Sequence, residues 1–302
     1  MTETLACAVG EVSLRSPVMT ASGTAGLGDE LAAYGDLADL GAVVTKSLAR
    51  FPWDGNPAPR VASEGATMLN AVGLAGPGVA TWRADHLPRL RARGATVVAS
   101  IWGRRVGDYA DAAEDLLGAD VVAVEVNASC PNLEGRTGIF AHSAEMTADI
   151  VRASAACQRP LWVKLSPNTP DLLTIAAAAI EAGASALVLT NTLLGMAIDV
   201  GTGRPILGNV GGGVSGEGLR PVALRAVYEC RAAFGDIPIV GVGGISRGEH
   251  VVEMLMAGAD AVEIGTATFA NPRACWRVQK ELTTWLRRHN ETIASVRGRA
   301  HG

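Results

Sequence analysis

The sequence of 302 residues lacks the features that mark several classes of protein. No apolar run reaches the roughly 18 residues of a membrane-spanning helix, and the N-terminus has neither the basic region nor the apolar stretch of a signal peptide. Lys and Arg number 26 against 30 Asp and Glu, so the basic excess expected of a nucleic-acid-binding protein is missing. We therefore expect a cytoplasmic protein that binds neither membranes nor nucleic acid.

Cysteine is sparse and scattered, at Cys7, Cys130, Cys157, Cys230 and Cys275, and no Cys-x-x-Cys occurs. Zinc ribbons and iron–sulfur clusters need closely spaced thiolates, so we expect no metal to be held by this chain. Most of these cysteines are expected to be small core residues, which leaves room for one reactive thiol.

Apolar residues and glycine are plentiful. The chain is 48% hydrophobic and 19% charged, which suffices for a large buried core. Its 36 glycines exceed the average share of about 7%. They predict many places where the backbone turns sharply or approaches a ligand closely.

Short apolar runs alternate with helical patterns along the whole chain. Continuous apolar runs are typical of parallel strands that are covered on both faces. Eight such strands predict an α/β fold, a (β/α)8 TIM barrel formed by one domain over residues 1–302. The predicted strands are 17–21, 42–45, 96–101, 121–127, 161–165, 186–190, 237–242 and 261–264, and helical segments include 108–117, 145–157, 171–182 and 249–257.

Three long loops, at 48–77, 129–144 and 193–220, follow the second, fourth and sixth predicted strands. All three leave carboxyl ends of strands, the face at which barrel enzymes carry their chemistry. We therefore interpret them as covers of an active site on that face.

The last two predicted strands end in Gly243-Gly244 and in Gly265-Thr266. Barrels commonly bind phosphate with these two loops, because glycine lets backbone N–H groups approach phosphate oxygens. The pair indicates a phosphorylated cofactor, although plain turns would also use glycine here.

Lysine is rare in this chain, yet Lys46 and Lys164 lie in apolar strand runs. A buried ammonium is costly unless it meets an anion. Either each lysine pairs with a carboxylate, or it faces an anionic ligand or a ring that becomes negative on reduction, such as a flavin. The strand-end positions favour the second interpretation.

Four asparagines, Asn70, Asn127, Asn132 and Asn191, lie where predicted strands end. Asparagine often forms turns, but a group of them at barrel strand ends is typical of a site for a planar amide or imide such as a pyrimidine. Cys130 stands within this group and could act as a general base if nearby donors favour its thiolate.

These motifs together resemble the class 1 dihydroorotate dehydrogenases, most closely the class 1B catalytic subunit. The resemblance covers nearly the whole chain. It is carried by GNPAPR at 55–60, MLNAVGL at 68–74, NASCPN at 127–132, VKLSPN at 163–168, NTLLG at 191–195, RPIL at 204–207 and GGVSG at 212–216.

The resemblance implies oxidation of dihydroorotate to orotate in pyrimidine biosynthesis, with FMN as cofactor. Cys130 would remove a proton from C5 while hydride passes to flavin N5, and Lys164 would stabilise the reduced ring. The implied FMN-binding residues are Ala21, Ser22, Lys46, Ser47, Ser100, Asn127, Lys164, Thr190, Gly216, Gly243, Gly244, Gly265 and Thr266. The implied substrate-binding residues are Lys46, Asn70, Gly73, Leu74, Asn127, Asn132, Asn191 and Thr192.

Class 1B enzymes pass electrons to NAD⁺ through a separate subunit with FAD and a 2Fe-2S cluster. This sequence has neither cluster spacing nor a dinucleotide-binding fingerprint after its first strand. The resemblance thus implies a homodimeric core that binds such a partner in a heterotetramer.

Several residues depart from the family's pattern. Ser100 replaces a flavin-contacting Asn, Thr24-Ala25-Gly26 replaces Cys-Phe-Gly, Trp53-Asp54 replaces Arg-Phe, and Gly76 replaces Asn. Three alternative functions therefore stay open: an FMN oxidoreductase with another dihydropyrimidine or with fumarate as acceptor, a tRNA dihydrouridine synthase, and a flavin-binding scaffold. The missing basic surface argues against the second, and Cys130 with its lysines and asparagines argues against the third.

Overall fold

The computed structural model describes residues 5–65, 67–129 and 140–302. Its strands are β1 (Cys7–Val9), β2 (Val12–Leu14), β3 (Val18–Thr20), β4 (Val43–Val44), β5 (Val61–Glu64), β6 (Thr67–Asn70), β7 (Val97–Ile101), β8 (Ala123–Asn127), β9 (Leu161–Leu165), β10 (Ala186–Leu189), β11 (Leu193–Gly195), β12 (Ile198–Asp199), β13 (Arg204–Pro205), β14 (Gly212–Gly216), β15 (Ile239–Val242) and β16 (Ala261–Ile264). Its α-helices are α1 (Val79–Asp85), α2 (Leu87–Ala92), α3 (Val106–Asp115), α4 (Ala144–Ser154), α5 (Leu172–Glu181), α6 (Arg220–Phe234), α7 (Gly248–Met256), α8 (Ala267–Ala270), α9 (Ala274–His289) and α10 (Ile293–Val296).

Eight parallel strands form the central sheet, in the order β3-β16-β15-β10-β9-β8-β7-β4. The ring closes between its first and last strands, where the Thr20 amide donates to the Ala42 carbonyl at 3.2 Å and the Gly41 amide to Val18 at 2.8 Å. With helices between the strands, this is the predicted (β/α)8 barrel. Each of the eight predicted strands is present, with slightly different ends.

Burial on both faces explains the apolar strand runs. All five residues of β7 and all five of β9 are buried. Alternate strand residues, such as Val98 and Trp162, form one apolar cluster inside the barrel. The residues between them, such as Val97 and Val163, pack with the surrounding helices in a second, larger cluster. The four predicted helical segments correspond to α3, α4, α5 and α7.

A short antiparallel hairpin, β1–β2, closes the amino end of the barrel. Val9, Val12 and Leu14 on this hairpin are buried and belong to the cluster inside the barrel. The sequence did not predict this hairpin, because three-residue strands carry too little alternation to be recognised.

A second sheet lies across the carboxyl end of the barrel. It is antiparallel, with strand order β11-β14-β6-β5, and pairs Asn70 with Gly213 in register. It unites segments of the loops 48–77 and 193–220, which the sequence predicted as covers but not as strands. The third predicted cover, 129–144, falls largely on residues outside those described. Among the described helices, none has the length and apolar character needed to cross a bilayer.

Candidate active site

A cavity of about 1290 Å³ opens at the carboxyl ends of the barrel strands. Its walls come from these strand ends and from the antiparallel sheet above them. Among the residues that line it are these predicted site residues: Ala21, Ser22, Lys46, Ser47, Asn70, Gly73, Leu74, Asn127, Lys164, Thr190, Asn191, Thr192, Gly216, Gly243, Gly244, Gly265 and Thr266. Sequence positions scattered over some 250 residues are therefore brought to one cavity.

Among the predicted site residues that the structure describes, Ser100 alone is not on the cavity wall. Ser100 is fully buried behind it, on β7. Cys130 and Asn132 lie outside the described residues, so their roles stay predictions.

Lys164, on β9, is buried at the base of the cavity between two carboxylates. Its Nζ lies 2.8 Å from Glu263 Oε2, on β16, and 3.3 Å from Glu125 Oε2, on β8. Both glutamates are 0% exposed. Burial acts to lower the pKa of Lys164, but Glu125 and Glu263 outweigh it and raise this pKa above its ordinary value. The sequence left two partners open for Lys164, a carboxylate or a ligand, and the structure places it against carboxylates and on the cavity wall.

The carboxylate of Glu263 differs from an ordinary glutamate. Burial and the neighbouring Glu125 carboxylate raise the pKa of Glu263 well above its usual value, although Lys164 acts in the opposite direction. Glu263 Oε1 has no hydrogen-bond partner among the described residues. Two carboxyl groups therefore share one ammonium in this site.

A chain of hydroxyl groups links Glu125 to the cavity wall. Ser100 donates to Glu125 Oε1 at 2.8 Å and lies 2.9 Å from Ser47 Oγ. Because the single hydroxyl proton of Ser100 is used on Glu125, Ser47 must donate to Ser100. Ser47 in turn accepts from Asn127 Nδ2 at 3.1 Å and from Ser22, whose Oγ lies 3.1 Å away. Ser22 consequently offers the cavity an acceptor oxygen.

The amide groups of Asn127 and Asn191 meet on the wall beside Ser129. Asn191 Nδ2 lies 2.5 Å from Ser129 Oγ and 3.3 Å from Asn127 Oδ1. Ser129 also donates to Asn127 Oδ1 at 3.0 Å, and the Thr192 amide donates to Asn191 Oδ1 at 2.8 Å. These contacts fix the residue that directly precedes Cys130.

Glycines form the wall at the ends of β15 and β16. Gly243 has φ +136° and Gly244 has φ +68°, conformations that favour glycine. A Cβ at Gly243 would lie 2.8 Å from Ala223 Cβ, and one at Gly244 would lie 2.5 Å from Arg220 Cβ. Backbone N–H groups in such a segment can approach a phosphate closely, so this conformation is compatible with the predicted phosphate site, which stays a prediction.

Groups of His, Cys, Asp and Glu that could hold a metal ion are absent from the residues described. The described part of the cavity wall presents amides, hydroxyls, glycine backbone and two lysines.

Sequence comparisons agree with this geometry. The family described as dihydroorotate dehydrogenase matches residues 4–286. The chain is 43% identical over 293 residues to the catalytic subunit of dihydroorotate dehydrogenase B (NAD(+)) of Alkaliphilus oremlandii, covering 96% of this chain and 97% of the relative. Identity to the protein of the same name is 44% in Alkaliphilus metalliredigens, with 96% of each chain covered, and 45% in Desulforudis audaxviator, with 98% and 97% covered.

The chain belongs to the dihydroorotate dehydrogenase family. The resemblance seen in the sequence motifs is thus confirmed, and it extends over nearly the full length of both this chain and its relatives.

Two residues that depart from the pattern of the dihydroorotate dehydrogenase family contact each other. Trp53 and Gly76 form an antiparallel bridge, with N–H to O distances of 2.8 and 2.9 Å. The Trp53 ring also makes edge contacts with Phe51 and Trp102, and the Arg104 guanidinium lies 4.2 Å from the Phe51 ring centre. Trp53 thus belongs to an aromatic cluster beside the cavity, and Gly76 is joined to it through the backbone.

Sequence reasoning missed the two glutamates at Lys164. Both stand in an Ala-Val-Glu run within a buried strand, at 123–125 and 261–263. The argument that singled out lysines in apolar strands applies equally to these carboxylates. Asn168 was also missed: it accepts from the Leu194 amide and donates to the Thr192 carbonyl, both at 2.9 Å, and so holds the segment that follows Asn191.

Proposed function

We propose that the chain oxidises dihydroorotate to orotate with FMN, as the catalytic subunit of an enzyme that passes electrons to NAD⁺. One observation carries the proposal: a single cavity in a dihydroorotate dehydrogenase family member is lined by a glycine cradle, paired amides and a buried lysine. These are the groups that a phosphorylated, electron-accepting ring and a planar imide substrate require.

The residues present fit FMN. Thr190 Oγ1 is buried on the cavity wall and has no hydrogen-bond partner among the described residues, so it is available to a ligand. Gly243, Gly244, Gly265 and Thr266 would hold the phosphate, and Lys164 would lie near the ring. When bound, FMN supplies an acceptor for hydride.

The remaining predicted FMN contacts would come from the side of the cavity formed by the earlier strands. Ala21, Ser22, Lys46, Ser47 and Asn127 line this side. The acceptor oxygen of Ser22 suits an imide N–H of the ring. Gly216 is offered by β14 of the covering sheet.

Dihydroorotate would be bound by asparagine side chains, by Lys46 and by the segment that contains Gly73 and Leu74. Asn70, Asn127 and Asn191 can each donate to and accept from the substrate's imide edge. Lys46 supplies a cation for its carboxylate. Leu74 has φ +63°, an uncommon conformation for a non-glycine residue, which brings its backbone to the cavity wall.

Proton removal is assigned to Cys130, with Asn132 as a further substrate contact. Neighbouring donors would favour the thiolate, which accepts the C5 proton as hydride leaves the adjacent carbon. The family match over this segment supports this assignment, as does the place of the preceding residue, Ser129, on the cavity wall.

Transfer to NAD⁺ requires a partner that carries its own redox centres. We infer a homodimeric core joined by an FAD and 2Fe-2S subunit in a cytoplasmic heterotetramer. Relatives with the same near-complete coverage are named as catalytic subunits, which supports the need for a second subunit.

The proposal is tested by the visible spectrum of the purified protein under anaerobic conditions. Bound FMN should bleach when dihydroorotate is added, and the partner subunit with NAD⁺ should restore its colour. If the flavin spectrum stays oxidised, dihydroorotate is not the substrate. Reoxidation by fumarate without any partner would overturn the class 1B assignment.

A further inference from the structure

The buried cluster of Glu125, Lys164 and Glu263 contains two carboxyl groups and one ammonium. Glu125 lies on the strand next to Lys164, whereas Glu263 reaches the same ammonium from across the barrel. The glutamates are fully buried and the lysine side chain is 6% exposed. Water therefore cannot solvate an unbalanced charge in this cluster.

Charge balance limits how many protons the cluster holds. With both carboxyls ionised it would carry a net negative charge in a dry site, which costs several kcal/mol. Two carboxylates that share a site do not both ionise easily. One retained proton makes the cluster neutral.

Hydrogen bonds indicate which carboxyl carries this proton. Both oxygens of Glu125 accept: Oε1 from the Ser100 hydroxyl at 2.8 Å and Oε2 from Lys164 at 3.3 Å. Glu263 Oε2 accepts from Lys164 at 2.8 Å, while its Oε1 receives no donor from the described residues. Glu125 is thus satisfied as a carboxylate, whereas an ionised Glu263 would leave Oε1 as a buried charged oxygen without a donor among the described residues, so the proton is favoured on Glu263.

We propose that Glu263 is a neutral acid in the folded protein and is a positioning residue for Lys164, whose charge is balanced by Glu125 alone. The role toward the cofactor rests on the proposed FMN site. A neutral cluster holds the ammonium beside the ring without adding a net negative charge that would oppose its reduction.

Infrared spectroscopy tests the proton itself. Protein with ¹³C-carboxyl glutamate is compared with unlabelled protein, both with FMN and after its removal. We expect an isotope-sensitive C=O band of a protonated carboxyl at neutral pH in both forms. The band should vanish in Glu263→Gln and also in Glu125→Gln, where Glu263 becomes the sole counter-ion and ionises.

A matched control is Glu229→Gln, which removes a carboxylate from a surface pair with Arg225. It should keep the band. Absence of the band from the wild-type protein would overturn the proposal, and this result needs no variant to fold.

The midpoint potential of bound FMN provides the second measurement. Glutamine at 263 mimics a neutral acid, so Glu263→Gln should leave the potential unchanged. The double variant Glu125→Gln/Glu263→Gln removes the remaining counter-charge and should raise the potential. An equally raised potential in Glu263→Gln alone would show that Glu263 is ionised and would overturn the proposal. If the protein binds no FMN, the proposed function fails, while the infrared result still decides the proton's place.

Discussion

The two ends of the barrel use the same strands for different purposes. At the amino end, Val9, Val12 and Leu14 of the hairpin pack into an apolar interior. At the carboxyl end, serine, asparagine and lysine side chains line an open cavity. One end is built to exclude water and the other to receive a ligand, which separates stability from chemistry along a single sheet.

The change from one environment to the other takes two residues. On β9, Trp162 belongs to the apolar interior and Lys164 carries the buried charge. Two residues along a strand span about 6.6 Å and return to the same face. The charged cluster thus rests directly on the apolar layer, so side chains below it should affect stability and those above it should affect turnover.

At the carboxyl end of the barrel, substitution of the predicted base, Cys130, should have the largest effect. Cys130→Ala should keep FMN bound but lower the rate of its reduction by dihydroorotate by about 10²–10⁴-fold, because no group accepts the C5 proton. Stopped-flow absorbance measures this rate. FMN reduction at the wild-type rate would remove Cys130 from the mechanism.

The matched control is Cys230→Ala, in the middle of α6. Cys230 is fully buried, and burial with the neighbouring Glu229 raises its pKa to about 12, so it is an unreactive thiol. This variant should keep its flavin reduction rate and lose about 1 kcal/mol of stability.

A substitution at the amino end should give the opposite result. Leu14→Ala leaves a cavity below the apolar layer and should lower the free energy of unfolding by about 2–5 kcal/mol. Urea denaturation measures the loss, while FMN content and KM of the folded enzyme should stay unchanged. A variant with full stability but altered KM would break the separation between the two ends.

One glycine at each end of the barrel has a positive φ, at which a residue with a side chain would be strained. Gly243 at the cavity has φ +136°, and Gly183, before β10, has φ +108°. Alanine at either position should cost roughly 1–3 kcal/mol, but only Gly243→Ala also collides with Ala223. We expect Gly243→Ala to lose FMN on gel filtration and Gly183→Ala to retain it. Equal FMN retention would contradict the predicted phosphate cradle.

The sequence predicted the barrel because its strands are buried on both faces and so appear as continuous apolar runs. It also placed Lys46 and Asn127 together, since the carboxyl ends of parallel strands meet at one end of a barrel. The covering sheet could not be predicted in this way. Its central strand β14 contains Gly212 and Gly213, and its partners lie far apart in the chain.

The individual contacts within the site were predicted less completely than the barrel fold. Ser100 was expected to contact FMN, but its hydroxyl is turned to Glu125 behind the cavity wall. Local sequence places Ser100 within a strand, next to its last residue, but does not show which buried group accepts its hydroxyl proton. The partnership of Lys164 with Glu263 joins strands 99 residues apart, so only the closed barrel reveals it.

The smallest predicted effect concerns pH and a carboxylate that holds the loop after β7. Burial acts to raise the pKa of Asp108, but hydrogen bonds from the Arg104 amide and Arg105 outweigh it and hold this pKa below its usual value. Such a group stabilises the fold above its unfolded pKa of about 3.9, and the contribution is lost as pH falls through the lower folded pKa. Asp108→Asn should therefore cost roughly 1.5 kcal/mol near neutral pH and progressively less in acid. Urea denaturation at several pH values measures this difference.

Asp111→Asn, in an exposed pair with Arg50, is the control and should show little loss at any pH. If the loss in free energy of unfolding of Asp108→Asn does not vary with pH, the loss comes from poor hydrogen-bond geometry of the asparagine amide and not from the missing negative charge.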